Sequence, residues 1–177
     1  MPDDFRFSVK VPKQITHVKK LVDCSAELTI FLEEAGHLKH KLAVLLVQLP
    51  PKLAFETPVA ETFFRDLIDR TDARIACEPR HLSWFTPEAD LMLQQSGISR
   101  VAADPAICEA AARPGGDARL NYWRLHGSPV IYRSSYRDRI PFYAEQLQAA
   151  EAEPWCIFDN TASSAATRDA LDLMDMA

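Results

Sequence analysis

Polar side chains stand directly after the apolar segments of this chain, at the points where β-strands are expected to end. They are Lys10, Gln48, Glu78, Arg80, Asp104, Arg124, His126, Asp159 and Asn160. A carboxylate or a histidine can transfer protons, and a desolvated lysine can act as a base or as a Schiff-base amine. Glu78, His126 and Lys10 are therefore the predicted catalytic residues.

The same strand ends offer groups that could bind an anionic or phosphorylated ligand. Arginine can hold a phosphate or a carboxylate through two hydrogen bonds, and an aromatic ring can stack on a ligand. The predicted ligand-binding residues are Arg80, Arg124, Gln48, Trp84, Asp159, Asn160 and Tyr132. Because the set carries both signs of charge, an internal network of ion pairs is the structural alternative, and the two can coexist.

The cysteines and glycines argue against several cofactor classes. The four cysteines form no Cys-x-x-Cys pair, and the five glycines build neither a dinucleotide fingerprint nor a phosphate-binding loop. There is also no Gly-x-Ser-x-Gly elbow. We expect no metal and no cofactor, with a metal site made of Glu78, His126 and Asp159 as the open alternative.

Alternating strands and helices must position these residues. Residues 5–11 alternate between apolar and polar, and the continuous apolar run of 42–49 is typical of a strand buried on both faces. Further strands are predicted at 74–78, 98–103, 121–126 and 154–159, and helices at 17–34, 58–69, 87–96, 140–152 and 162–175. Six βα units predict parallel strands, in a doubly wound sheet or a β/α barrel. Both folds gather functional groups at the carboxyl ends of the strands.

The period of two in a strand predicts which side chains share a face. Lys10 shares one with Ser8, and Glu78 shares one with Ala76. Arg124 and His126 lie on the same face of their strand as Tyr122. The pattern leaves open which of Asp159 and Asn160 points inward. The acidic residues of the last helix, Asp169, Asp172 and Asp175, are predicted to lie on its solvent face.

Composition is that of one soluble domain over residues 1–177, with 47% apolar and 25% charged residues. No apolar run approaches the length of a membrane helix, and residues 1–4 do not resemble a secretory signal, so we expect a cytoplasmic protein. The net charge of −5 disfavours general nucleic-acid binding. Two basic stretches keep a nucleic-acid-binding or processing protein as an alternative: residues 6–20, and residues 119–139 with interleaved aromatic rings.

Several short motifs together resemble one known family. They are Phe5–Lys10, Ile15–His17, Gln48–Pro51, Glu78–Trp84, Tyr122–Gly127 and Phe158–Thr161. In this order and spacing the chain is similar to the YecE-like family, also named domain of unknown function 72. The resemblance covers nearly the whole chain and implies a TIM-barrel-like fold, but it implies no reaction.

The resemblance also implies an incomplete barrel. Members of the family typically carry two further strands before the strand that corresponds to residues 5–11. The chain would then hold the last six of eight strands, leaving open edges at 5–11 and 154–159 through which copies could associate. A truncated, non-catalytic remnant is therefore a third interpretation of its function.

Overall fold

The computed structural model describes residues 2–176, along which strands and helices alternate. The strands are β1 (Phe7–Lys10), β2 (Leu42–Gln48), β3 (Arg74–Glu78), β4 (Ile98–Arg100), β5 (Ala102–Asp104), β6 (Gly115–Gly116), β7 (Leu120–Leu125) and β8 (Glu153–Phe158). The α-helices are α1 (Ser25–Gly36), α2 (Thr57–Ile68), α3 (Pro87–Gln95), α4 (Ile140–Gln148) and α5 (Ala165–Met174). None of the helices in 2–176 has the length and apolar character needed to cross a membrane.

The strands form two sheets that follow one another without interruption. One sheet has the order β1-β2-β3-β4-β6, and the other has the order β5-β7-β8. Every pairing is parallel except that of β6 with β4, which confirms the predicted α/β class with mostly parallel strands. Between β4 and β5 only Val101 intervenes, and its N–H donates to the Cys77 carbonyl at 2.8 Å. Within this extended segment β4 pairs with β3 and β5 pairs with β7, so the neighbouring strand changes at Val101.

Both faces of the strand series are packed. Leu45 and Val47 belong to the outer core beneath the first three α-helices, whereas Val44 and Leu46 belong to the inner core. This placement confirms that the apolar run of β2 is buried on both faces. Across the interior, the hydroxyls of Ser8 and Tyr122 lie 2.7 Å apart, so the sheet curves enough to bring β1 close to β7. Within the described residues β1 and β8 are not paired with each other, and association through these edges stays a prediction.

The helix predicted over 17–34 is wrong at its start. Residues 14–18 form a short π-helix, and α1 begins only at Ser25. Between them Lys20, Leu21 and Asp23 have positive φ angles, which an α-helix does not accommodate. The apolar spacing was correct for Leu28 and Leu32, but it could not register this backbone reversal.

Between β5 and β7, where the sequence predicts no strand, the structure contains one further short strand. A 3-10 turn covers Glu109–Ala112, and β6 adds an antiparallel strand beside β4. Gly116 has a φ of +63°, and a Cβ there would lie 2.4 Å from the Ile98 carbonyl oxygen. Only glycine fits this position, so the short strand depends on it.

Candidate functional site

Five strands carry an inward-facing polar side chain at or just after their carboxyl end. In the parallel register Lys10 lies opposite Leu46, and Gln48 lies opposite Glu78. Leu46 belongs to the inner apolar core, and Gln48 follows it on the same face of β2. The polar residues therefore form a layer at the carboxyl end of that core. The predicted facing of Lys10 and Glu78 is therefore the observed one.

Glu78 is the centre of this polar layer. Its Oε1 accepts from Arg80 Nη2 at 2.5 Å, and its Oε2 accepts from Arg124 Nη1 at 2.7 Å. The side chain is only 1% exposed. Burial by itself would raise the pKa of Glu78, but the hydrogen bond from His126 and the charges of Arg124 and Arg80 outweigh it and lower the pKa to about 2.

His126 lies between two carboxylates. Its Nδ1 donates to Asp159 Oδ2 at 2.9 Å, and its Nε2 lies 2.9 Å from Glu78 Oε1. Arg80 Nη2 is also 2.9 Å from that same Nε2. The ring is 2% exposed, so its position is set by the two carboxylates and Arg80.

Arg124 closes the ring of contacts. Besides Glu78 it bonds Asp159, whose Oδ2 accepts from Arg124 Nη2 at 2.8 Å. Burial would raise the pKa of Asp159, but the hydrogen bond from His126 and the charge of Arg124 prevail and lower it. We call Glu78, Arg80, Arg124, His126 and Asp159 the Glu78 cluster.

Lys10 stands at the open edge of the Glu78 cluster and is exposed. Burial of its stem lowers its pKa, and the positive charges of Arg124 and Lys13 lower it further. Glu78 and Asp159 act on it in the opposite direction. The charges of the Glu78 cluster therefore act on Lys10, although Lys10 forms no ion pair with the cluster among the described residues.

Two buried donors of the Glu78 cluster have no hydrogen-bond partner among the described residues. They are Arg80 Nε and Arg124 Nε. With Lys10 the site holds three cationic side chains against two carboxylates, a formal charge of +1 before His126 is counted. An unpaired buried donor costs free energy, and an excess of positive charge favours an anionic partner.

Tyr132 stands over the Glu78 cluster on the loop that joins β7 to α4. Its N–H donates to the His126 carbonyl at 2.5 Å, and its own carbonyl accepts from Ala162 N–H at 2.9 Å. The ring is half exposed and meets the His126 ring edge-on, with 6.3 Å between centroids. Its φ of +66° is a conformation that tyrosine rarely adopts. Hydrogen bonds on both sides hold the residue in this strained geometry.

Two residues predicted to contact a ligand have other roles. Trp84 is buried in the outer core, where its indole N–H donates to the Leu53 carbonyl and its ring packs against Phe55. The 3-10 turn after β3 directs this side chain away from the strand ends. Asn160 is also buried, and its amide donates to the Ser134 carbonyl at 2.9 Å. Of the two residues that follow β8, Asp159 rather than Asn160 faces inward.

The prediction that Asp169 lies on the solvent face of the last helix is wrong. It is 1% exposed and accepts from Tyr136 N–H at 2.9 Å and from the Asn160 amide at 2.6 Å. These bonds fix the base of the Tyr132 loop. The sequence carried no signal for them, because an aspartate among Asp172 and Asp175 has the pattern of an ordinary helix surface.

Lys13 and His17 were not predicted as site residues, although they flank the Glu78 cluster. Burial lowers the pKa of His17, and the charges of Lys10 and Lys13 lower it further, so the three groups lie within electrostatic reach of one another. Asp104 was named among the strand ends but bonds Arg139 and Tyr143 instead. In residues 2–176 no set of three His, Cys, Asp or Glu side chains is arranged to hold a metal ion.

The amino ends of the strands carry a cavity of about 300 Å³, lined by residues that include Arg74, Ser99 and Arg119. Its two arginines are paired: Arg74 bonds Glu153, and Arg119 bonds Asp117 at 2.7 Å. We place the candidate site at the opposite, carboxyl end because unsatisfied donors and excess positive charge occur there.

Comparisons with known proteins match one family model and solved structures of that family. The family model described as "Protein of unknown function DUF72" matches residues 1–177. The crystal structure of the DUF72 protein TM1631 from Thermotoga maritima is 24% identical, with a TM-score of 0.81 over 99% of this chain and 75% of that one. Two structures of EF0366 from Enterococcus faecalis are 20% and 23% identical, with TM-scores of 0.78 and 0.77. They match 99% of this chain and 75% and 79% of theirs. A comparison with curated proteins found no match.

Proposed function

The chain belongs to the DUF72 family, and from this premise we propose that it binds a small anionic or phosphorylated ligand at the carboxyl ends of its parallel strands. The proposal includes a TIM-barrel-like arrangement, in which six strand positions of the barrel are those of β1, β2, β3, β4 with β5, β7 and β8. The curvature that brings Ser8 to Tyr122 across the interior supports it. In such a fold the carboxyl ends are where ligands bind.

The observation that carries the proposal is the pair of unpartnered donors, Arg80 Nε and Arg124 Nε. Buried donors are almost always satisfied in native proteins, and each exception needs a reason. A phosphate or carboxylate that approaches the side of a guanidinium accepts from Nε and one Nη together. Such a ligand would satisfy a donor that the protein leaves free and would neutralise the excess positive charge.

The residues of the site differ in burial, and in our proposal their roles differ accordingly. Glu78 and His126 are almost inaccessible and are fully engaged with their neighbours, so they act as positioning residues for Arg80, Arg124 and Asp159. Lys10 is exposed, and the side chains of Arg80 and Asp159 are 23% and 33% exposed. In our proposal Lys10 and Arg80 contact the anionic ligand, and Arg124 offers it the unpartnered Nε. If the bound ligand reacts, the proton passes through Lys10 or Asp159, and Lys10 keeps its predicted catalytic role.

The test is a calorimetric titration of the purified protein with inorganic phosphate, sulfate and acetate at low salt. Arg80→Met should weaken anion binding by about tenfold or more, because it removes a charge-assisted hydrogen bond. The matched control is Arg137→Met, which removes the same charge from an exposed position on the neighbouring loop. A wild-type protein that binds none of these anions contradicts the proposal and supports the non-catalytic interpretation.

Single-stranded nucleic acid is the second candidate, because the half-exposed Tyr132 is followed directly by the exposed Arg133. Bases stack on such rings, while arginines bind the phosphates. Salt dependence separates the two functions. Affinity for an oligonucleotide should fall steeply with rising salt, with a slope that counts several phosphates, whereas a small anion displaces few counterions.

A further inference from the structure

The ring of Tyr132 contacts the Glu78 cluster, yet half of this residue is open to solvent. We propose that the ligand of the site is an anion that carries an aromatic ring, of which an aryl phosphate is the simplest example, and that this ring packs on Tyr132. The inference rests on the proposed function and deepens it, because it names the chemical class of the ligand and a residue that determines specificity.

One imidazole joins Tyr132 to an arginine that binds the anion in our proposal. The Tyr132 and His126 rings have their centroids 6.3 Å apart, with an angle of 90° between their planes. Arg80 Nη2 lies 2.9 Å from Nε2 of the same His126 ring. Because the phenol ring and the guanidinium contact one side chain from different directions, a ligand with two adjoining parts can reach both.

The loop around Tyr132 exposes apolar side chains, for which an inorganic anion has no use. Val130, Ile131 and Tyr132 follow one another in the sequence, and they are 53%, 48% and 49% exposed. A single exposed apolar residue is ordinary, whereas adjacent ones beside a polar site indicate a surface that binds an apolar group. We assign the contact to Tyr132 because its ring also touches His126.

Hydrogen bonds within the loop fix the position of Tyr132. Ser134 N–H donates to the Val130 carbonyl at 2.9 Å, and Val130 N–H donates to the Ser134 hydroxyl at 3.0 Å. A Cβ on Gly127 would lie 2.9 Å from the same Val130 carbonyl oxygen, so the turn closes tightly against this glycine. A ring that is held in place loses little conformational freedom when a ligand binds, and this favours affinity.

The backbone of Tyr132 has a conformation that costs free energy. Its φ of +66° lies in the left-handed region, where Asn, Asp and Gly are common and large side chains are rare. A half-exposed ring recovers only part of the free energy that full burial would give. Residues held in such geometry by their surroundings cluster at binding sites. A ligand contact therefore explains the tyrosine better than packing does.

An aromatic group on the ligand fits Tyr132 better than an aliphatic group of similar size. Two aromatic rings attract each other through their quadrupoles in addition to the burial of apolar area, whereas an aliphatic group gains from burial alone. The ring must also be joined closely to the charged group, because Tyr132 and Arg80 contact the same imidazole. An aryl phosphate has this arrangement.

The experiment compares phenyl, cyclohexyl and methyl phosphate by titration calorimetry near pH 7 at low salt. All three carry the same anionic group, and the first two are similar in size. Phenyl phosphate should bind about tenfold more tightly than methyl phosphate and at least about threefold more tightly than cyclohexyl phosphate. Equal binding of phenyl and cyclohexyl phosphate would overturn the aromatic class, because burial alone would then account for the preference.

Tyr132→Asn tests the residue itself. Asparagine tolerates a positive φ, so the substitution removes the ring and keeps the backbone conformation. The preference for phenyl over methyl phosphate should fall below about twofold, because methyl phosphate gains little from the Tyr132 ring. The matched control is Phe5→Asn, which removes a ring that is 45% exposed just before the amino end of β1, and which should leave the preference unchanged.

A second measurement does not depend on the folding of Tyr132→Asn. In protein labelled only on tyrosine, phenyl phosphate should give a nuclear Overhauser effect to one tyrosine ring, and Tyr132→Phe should abolish this signal while it keeps the affinity. The other three tyrosines are buried. The absence of the signal in the wild type would overturn the contact.

The failures of the inference and of the proposed function are distinguishable. If the three esters bind the wild type equally, or if Tyr132→Asn keeps the preference for phenyl phosphate, the aromatic contact is overturned. The proposed function still stands when Arg80→Met weakens all three esters. If the wild type binds none of the esters and no inorganic phosphate, the inference and the proposed function fall together.

Discussion

Two arginines of this protein are buried to the same extent but have different surroundings. Arg100, in β4, and Arg124, in β7, are each 6% exposed. Arg100 donates from Nε to Asp90 at 2.9 Å and from Nη1 to the Ala110 carbonyl at 2.7 Å. Its guanidinium also lies over the ring of Phe85, 5.0 Å from the centroid.

The two arginines differ in how completely their donors are satisfied, and this difference is why we propose a binding role for Arg124 only. Arg100 leaves no buried donor unpaired in the described chain, and its bonds to the main chain fix the loop before β6. Arg124 bonds two carboxylates, keeps an unpartnered Nε, and lies beside the exposed Lys10. Burial alone therefore does not distinguish the two arginines. The binding role that we propose for Arg124 rests on its unsatisfied donor and its accessible neighbours.

The largest effect should follow from Glu78→Gln, which tests how strongly the Glu78 cluster depends on its central charge. The amide leaves Arg124 and Arg80 without a full counter-charge, and breaking a buried ion pair in this way costs about 3–5 kcal/mol. Urea denaturation should show this loss in the free energy of unfolding. The exposed Glu151→Gln is the matched control. A loss below about 1 kcal/mol would contradict the central role of Glu78.

Acid should remove the stabilisation that the Glu78 cluster gives to the fold. The pKa of Glu78 is about 2 in the folded protein, against 4.5 for the free group. A lowered pKa stabilises the fold above the unfolded value, and this stabilisation is lost as the pH falls towards the folded value. Between about pH 5 and pH 2 the share of Glu78 is on the order of 3 kcal/mol, and Asp159 acts in the same direction. Unfolding measured across this range should depend less on pH in Glu78→Gln.

Arg100→Met is expected to have a smaller effect on stability and none on binding. The substitution removes the bonds to Asp90 and to the main chain around Ala110, but Asp90 is 42% exposed at its side chain and can be hydrated. We expect a loss of about 2 kcal/mol in the free energy of unfolding. The affinity for inorganic phosphate should remain that of the wild type. Weaker binding would show that the two arginines are not functionally separate.

The sequence pattern predicted which polar residues lie at the strand ends and which of them face inward. It did not predict the roles of all of them. Alternation correctly placed Lys10, Glu78, Arg124 and His126 on inward faces, because a strand's period is fixed by its backbone. The α/β class followed from the repeated βα units for the same reason. Distances between strand ends, and hence the Glu78 cluster itself, are tertiary features that no local pattern contains.

The errors of prediction occur where the backbone leaves regular structure. Trp84 follows a strand by six residues, and a 3-10 turn rather than a period of two determines its direction. The reversal at Lys20 and Leu21 delays the start of α1 to Ser25. Asp169 was misassigned because its partners are on two loops that are distant in sequence.

The smallest effect on stability is expected at Tyr132, where it should be accompanied by a clear effect on binding. Tyr132→Gly removes a half-exposed ring and relieves the positive φ, but it also increases the freedom of the unfolded chain. These contributions oppose each other, so the free energy of unfolding should change by less than about 1 kcal/mol.

A protein that holds a tyrosine in this geometry without a gain in stability has another use for the ring. Tyr132→Gly should therefore weaken the binding of phenyl phosphate more than that of inorganic phosphate, whereas Tyr132→Phe should bind both as the wild type does. Equal losses for both ligands, or none, would mean that the ring only covers His126 and does not contact the ligand.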